Sequence, residues 1–246
     1  MAGPTIAVFR PDDGRLADAV AVLESRGAAP VPDPMLAIEP TGATPRTDAD
    51  YVVLTSTTGV DLAVDADWST GDAVVCAIGP TTADALREAG FDVDVVPTEY
   101  TSSGLVDELA DAVDGARAEI ARSDHGSAVL PDGLEAAGAY VHETVLYRLV
   151  RPERSGESAA LAAAGDLDAV CFTSSLTVEH FLEAAEARGV REDALEGLSA
   201  ATVGVIGDPT AETARSLGIA VDIVPEAATF DALARETLAT VEADRE

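Results

Sequence analysis

Residues 78–83 read Ile78-Gly79-Pro80-Thr81-Thr82-Ala83, and residues 206–211 read Ile206-Gly207-Asp208-Pro209-Thr210-Ala211. At that same offset of 128 the likeness runs on without a gap. Gly90 answers Gly218, Val93-Asp94-Val95-Val96-Pro97 answers Val221-Asp222-Ile223-Val224-Pro225, Thr101 answers Thr229 and Leu105 answers Leu233. An earlier echo sets Val52-Val53-Leu54-Thr55-Ser56 against Val170-Cys171-Phe172-Thr173-Ser174. Such a period is too long for a solenoid unit and marks two related blocks in one chain.

Around these blocks strand and helix patterns alternate. Strands are expected at Thr5–Phe9, Tyr51–Leu54, Ala73–Ile78, Val93–Val96, Glu119–Ala121, Ala169–Phe172, Thr202–Ile206 and Val221–Val224, with a long extended stretch over Ala139–Val150. Helical spacing joins Leu16, Val20 and Leu23 behind a cap at Asp12 or Asp13, and Gly27 stops that helix. Further helices are expected through Leu86 to Gly90, through Leu105 to Val113, over Val129–Ala137, around Phe181, over Thr210–Leu217 and through Phe230 to Val241. This rhythm predicts an α/β fold made of two related doubly wound parallel-sheet domains. The proline-rich run 30–40 and the stretch 151–156 are the candidate links.

The 246 residues carry 45 acidic side chains against 15 basic ones, a formal charge of −30, and every basic residue is arginine. The acids are spread along the whole chain, which argues against an acidic tail. Such a surface repels itself at low salt and is screened at about 1 M, where the Debye length falls to roughly 3 Å. We read it as the surface of a cytoplasmic protein from a salt-loaded cell. Without lysine there is no side-chain Schiff base and no Walker A loop. No basic stripe offers itself to nucleic acid. Cys76 and Cys171 lie in apolar runs and read as buried thiols, and His125, His142 and His180 lack ligand spacing, so no metal or other cofactor is expected. Neither a signal peptide nor a membrane helix is expected.

Two kinds of loop follow strands in each block. One carries Thr55 and Ser56, or Thr173 and Ser174; the other carries Gly79, Thr81 and Thr82, or Gly207 and Thr210. Helix N-termini behind such loops offer unpaired amides and a positive dipole end to a carboxylate. Taken singly, each serine or threonine is an ordinary helix cap. Four loops paired by a repeat point to anion binding. A non-enzymatic two-domain small-molecule (anion) binding protein shares that description. A response regulator, suggested by Asp12-Asp13, would need a late lysine.

The run from Ala77 to Leu109, AIGPTTADALREAGFDVDVVPTEYTSSGLVDEL, resembles the signature block of the uroporphyrinogen-III synthases. So do the strand ends VVLTSTTGV and VCFTSSLTV, the opening IAVFRP, the segment HETVLYRLVRP, and Arg122-Ser123-Asp124 followed by Val129-Leu130-Pro131. The resemblance, to a halophilic archaeal type of that family, implies a discontinuous domain (1–35 with 151–246), an inserted domain (40–143) and a connecting two-stranded ladder (35–39 and 144–150). It implies a lyase of haem, sirohaem and cobalamin biosynthesis that closes hydroxymethylbilane with loss of water and inversion of ring D, the substrate lying between the domains. It implies a cytoplasmic monomer that takes its substrate in transient contact with hydroxymethylbilane synthase. Tyr147 would assist departure of the hydroxyl; Arg10, Thr55, Ser56, Gly79, Thr81, Thr82, Thr101, Ser102, Arg122, Thr173, Ser174, Gly207 and Thr210 would bind substrate. Asp208 and Ser123 stand where the family often has proline and glycine.

Overall fold

The computed structural model describes residues 3–12 and 14–245. The chain opens with β1 (Thr5–Val8), α1 (Gly14–Ser25) and β2 (Ala29–Pro32). It continues through β3 (Ala37–Pro40), β4 (Tyr51–Leu54), α2 (Thr57–Asp65), β5 (Val74–Ala77), α3 (Pro80–Glu88), α4 (Ser102–Leu109), β6 (Arg117–Ser123), α5 (Val129–Ala136) and β7 (Tyr140–Val150). It closes with α6 (Glu157–Ala164), β8 (Ala169–Phe172), α7 (Ser175–Ala187), α8 (Arg191–Ala200), β9 (Thr202–Val205), α9 (Asp208–Ser216) and α10 (Phe230–Asp244). Two compact units result: Met1–Ala37 with Val150–Glu246, and Ile38–Leu149.

The first unit holds a sheet of order β2-β1-β8-β9, the second a sheet of order β3-β7-β6-β4-β5. Parallel pairing joins β1 to β2 and β8, β8 to β9, β4 to β5 and β6, and β6 to β7. Side chains alternate between two apolar layers. Ala7, Phe9, Val170 and Phe172 enter one core of the first unit, while Ile6, Val8, Ala169 and Cys171 enter the other. In the second unit Val52 and Leu54 face one core and Val53 the other. Helices cover both faces, as a buried parallel sheet requires.

The duplication is carried into the registers. Val8 pairs with Cys171, and Ile120 pairs with Val53, the repeat counterpart of Cys171. Thus β1-α1-β2 supplies to the first unit what β6-α5-β7 supplies to the second, and Arg10 corresponds to Arg122. Before β4 and β8 stand matching aspartates: Asp50 accepts the Arg117 amide at 2.8 Å, and Asp168 accepts the Thr5 amide at 2.7 Å. Asp168 also accepts from the Arg245 guanidinium at 2.7 Å, so the start of β1 and the end of α10 meet on one carboxylate.

Several elements differ from expectation. Val93–Val96 and Val221–Val224 form only the isolated bridges Cys76–Val95 and Gly204–Ile223. Asp94 and Asp222 take the amides of Val75 and Val203 on their side chains, each at 2.8 Å, in place of a longer ladder. The helix through Leu105 ends at Leu109, before Val113. The edge strand β2 falls inside the proline-rich run, where its prolines cost no sheet bond on the solvent side. Helix α2 follows the Thr55-Ser56 loop as expected, while α6 and α8 were unforeseen. Asp13, one of the two candidate caps of α1, lies outside the described residues.

Candidate functional site

In the second unit, the carboxyl ends of β7, β6, β4 and β5 stand side by side and present Tyr147, Arg122, the Thr55-Ser56 loop and the Gly79–Thr82 loop. Ser56 caps α2, its Oγ accepting the Gly59 amide at 3.0 Å. The same Oγ lies 3.0 Å from the Tyr147 hydroxyl. A bulge delivers that phenol: Arg122 faces Val145 but Ser123 faces Tyr147, so Leu146 is the extra residue. The bulge shifts the alternation of β7, and Leu146 and Tyr147 both enter the core beneath α2 and α3. With 7% exposure the ring is fixed by packing. Asp124 secures the strand beyond, donating its amide to the Tyr147 carbonyl (3.2 Å) and accepting the Leu149 amide (3.0 Å). Burial pushes the Asp124 carboxyl up, but the bonds from His125 and Leu149 outweigh it and hold the group below its ordinary value.

Gly79 caps α3 with no side-chain bond, followed by Pro80 at the first helical position. A Cβ on Gly79 would come 3.3 Å from the Tyr100 Cβ, so glycine lets that exposed ring lie against the helix start. Thr81 is exposed and Thr82 is 5% exposed. Thr101 caps α4 through the Gly104 amide at 3.0 Å and bonds Ser103; Ser102 begins the helix. Arg122 is ion-paired with Glu143 and donates to the Ser127 carbonyl at 2.5 Å, so its guanidinium braces β6 against β7 and the following loop.

The first unit gathers the counterparts at the ends of β1, β8 and β9. The Thr173 hydroxyl donates to the Phe9 carbonyl at 3.1 Å. Ser174 caps α7 and forms a reciprocal box with Thr177. Gly207 caps α9, Asp208 is its exposed first residue, and Thr210 is 4% exposed. Asp208 thereby sits on the positive end of the α9 dipole, where a carboxylate is stabilised. Ser175 donates to the Pro209 carbonyl at 3.2 Å and accepts from Thr213 at 2.8 Å, tying the two helix starts together. Arg10 lies over the Phe230 ring at 5.1 Å.

The residues singled out in the sequence thus fall into two clusters, one per unit, each at the carboxyl ends of the strands. In open α/β sheets that edge is where ligands bind. Sequence reasoning missed Tyr100, whose only signal was its place before the Thr101 cap, and Glu143, which register alone brings to Arg122. Cys76 and Cys171 are free and buried in β5 and β8. At the opposite end of the second sheet, buried Glu119 bonds His142 at 2.7 Å beside a cavity of about 220 Å³. Among the described residues no group of three or more His, Cys, Asp or Glu is placed to hold a metal ion, and no helix is long and apolar enough to cross a membrane.

Fold and site define a doubly wound α/β protein, duplicated within one chain, with helix N-termini gathered at its strand ends. The family model described as uroporphyrinogen-III synthase HemD matches residues 17–235. A putative uroporphyrinogen-III synthase of Methanothermobacter thermautotrophicus is 34% identical over 237 residues, covering 90% of this chain and 92% of that protein. The uroporphyrinogen-III synthase of Synechococcus elongatus is 27% identical over 247 residues, 94% and 93% of the two chains. Among solved structures, a mutant uroporphyrinogen III synthase from Thermus thermophilus aligns with a TM-score of 0.67 at 20% identity, over 98% of this chain and 100% of that one. The Helicobacter pylori uroporphyrinogen-III synthetase gives 0.63 at 14% identity, over 97% and 99%. The chain belongs to the uroporphyrinogen-III synthase family, the lyase-type cyclases of tetrapyrrole biosynthesis. A non-enzymatic binding protein is accordingly not favoured.

Proposed function

We propose that this chain closes hydroxymethylbilane to uroporphyrinogen III, and that Tyr147 is its proton donor. The supporting observation is the phenol held 3.0 Å from Ser56 Oγ, the side chain that caps α2. The Tyr147 proton passes to the departing hydroxyl, the C–O bond breaks, and water leaves as the neighbouring pyrrole nitrogen supplies its electron pair. Return of the pyrrole N–H proton to the phenolate leaves an azafulvene. The substituted carbon of ring D attacks it to give a spiro intermediate; fragmentation and reclosure at the other carbon invert that ring. The net change is loss of one water. Because the substrate is already reactive, the protein's task is chiefly to hold one geometry.

In this reading Thr55, Gly79, Thr81, Thr82, Thr101, Ser102, Thr173, Ser174, Gly207 and Thr210 supply amides and hydroxyls to acetate and propionate groups, and Ser56 supplies its amide. Arg10 and Arg122 frame the two clusters. As working domains we take 1–35 with 151–246, and 40–143, with 35–39 and 144–150 as the connecting ladder. The charge of −30 supports work as a monomer in a salt-loaded cytoplasm, of halophilic archaeal type; receipt of substrate from hydroxymethylbilane synthase rests on the family resemblance alone. The test is turnover of hydroxymethylbilane in molar salt with separation of the isomers. The type III macrocycle is expected; type I alone, at the rate seen in buffer, would leave a binding protein. In the same assay Tyr147→Phe is expected to slow turnover by about 100-fold or more, the usual scale of a lost general acid.

A further inference from the structure

Ser174 and Ser56 cap corresponding helices, yet their hydroxyls have different neighbours. In the first unit the third residue of the helix is Thr177; its amide bonds Ser174 Oγ at 3.3 Å and its hydroxyl accepts the Ser174 amide at 3.2 Å. In the second unit the third residue is Gly59, which offers an amide and no side chain. A Cβ there would meet Ser56 Oγ at 3.2 Å, tighter than most Cβ contacts, and would touch Leu146 Cδ1 at 3.4 Å. The open side of the Ser56 hydroxyl is filled by the Tyr147 hydroxyl, 3.0 Å away. All four tyrosines, Tyr51, Tyr100, Tyr140 and Tyr147, lie in this unit, so the duplicated scaffold carries the pairing once.

We infer that Ser56 is a positioning residue for Tyr147, and that it acts by donating its hydroxyl hydrogen to the phenol oxygen as that oxygen gives up its own proton. This rests on the reading of Tyr147 as proton donor. Ser56 Oγ accepts the Gly59 N–H, which leaves the serine hydrogen free to point at Tyr147. With the serine hydrogen on the phenol oxygen, the phenol hydrogen is directed outward to the leaving hydroxyl. As the proton moves from Tyr147 to that oxygen and the C–O bond breaks, negative charge grows on the phenol oxygen. It meets a hydrogen bond already in place, backed by the first turn of α2. Donors aligned in series strengthen one another, and the positive end of the helix favours the same charge. Nothing reorganises during the step, which is where such preorganised donors contribute most. The bulge at Leu146 serves this arrangement, since without it residue 147 would face the other side of the sheet.

The experiment is a double-mutant cycle on the full chain in molar salt, measuring kcat and KM for type III product after subtracting spontaneous type I closure. Ser56→Ala is expected to lower kcat by about tenfold to 100-fold with KM little changed, the scale of one hydrogen bond to a developing charge. Ser56→Thr, which keeps both cap and hydroxyl, should restore most of that loss. Ser56→Gly keeps a tolerated helix cap while removing the hydroxyl, and should match Ser56→Ala if the effect is chemical. In a Tyr147→Phe background, Ser56→Ala should cost nothing further. If the two losses multiply, or if Ser56→Ala acts on KM alone, Ser56 binds substrate independently and the inference falls while the reading of Tyr147 stands. If Tyr147→Phe turns over like the unaltered protein, the phenol is no donor and the inference falls with that reading.

Discussion

At the scale of single residues, the two cysteines record how dry the sheets are. Burial pushes the thiols of Cys76 and Cys171 up from an ordinary 9.0 to about 12. In the unfolded chain they ionise near 9, so between pH 9 and 12 the unfolded state holds fewer protons than the native one. Their contribution to stability is therefore complete below pH 9 and lost as the pH climbs through 12. Denaturant melts at pH 8 and pH 10.5 should show a smaller drop for Cys76→Ala/Cys171→Ala than for the unaltered chain; an equal drop would place both thiols in contact with water. A thiol reagent at pH 8 should label neither cysteine until denaturant is added. Arg10 and Arg122 were both chosen from sequence, but their partners, Phe230 and Glu143, come from distant segments. No spacing in the chain announces such pairs.

At the scale of elements, one device recurs in duplicate and its two copies can be broken separately. Asp94→Ala and Asp222→Ala each strip the acceptor from a strand amide, Val75 or Val203. Each should cost about 1–3 kcal/mol, the penalty of an amide left unpaired, and by similar amounts since the geometry is the same. Chemical denaturation of the two variants tests this; a cost in only one would show that water replaces the carboxylate in the other. These aspartates also explain a misreading: Val-Asp-Val-Val and Val-Asp-Ile-Val alternate as strands do, yet in each the side chain takes over what a ladder would have done. Most other strands were legible because a parallel sheet buried on both faces writes itself as an unbroken apolar run. Helix α6, ESAALAAA, escaped notice because alanine gives no amphipathic stripe. Helix α8 hid behind Gly197, whose missing Cβ is required by the Ala162 carbonyl of α6. The bulge in β7 left no mark at all, so Tyr147 was selected by resemblance while its contact with Ser56 was not foreseen.

At the scale of the whole molecule, a charge of −30 on 246 residues sets the conditions for everything else. Raising salt from about 0.1 M to 1 M shortens the Debye length from about 10 Å to 3 Å and removes most repulsion between surface acids. The thermal midpoint should rise steeply over that range in potassium or sodium chloride, and a flat response would mean the acids are already neutralised within the fold. The meeting of Thr5 and Arg245 on Asp168 has a consequence for biosynthesis. The ribosome releases β1 and β2 long before β8, the strand that must lie beside β1, so this opening pair waits while the Ile38–Leu149 unit is completed. A permuted chain in which Arg245 is linked back to Thr5 and the backbone is opened after Val150 would abolish that delay, giving two successive halves that each emerge whole.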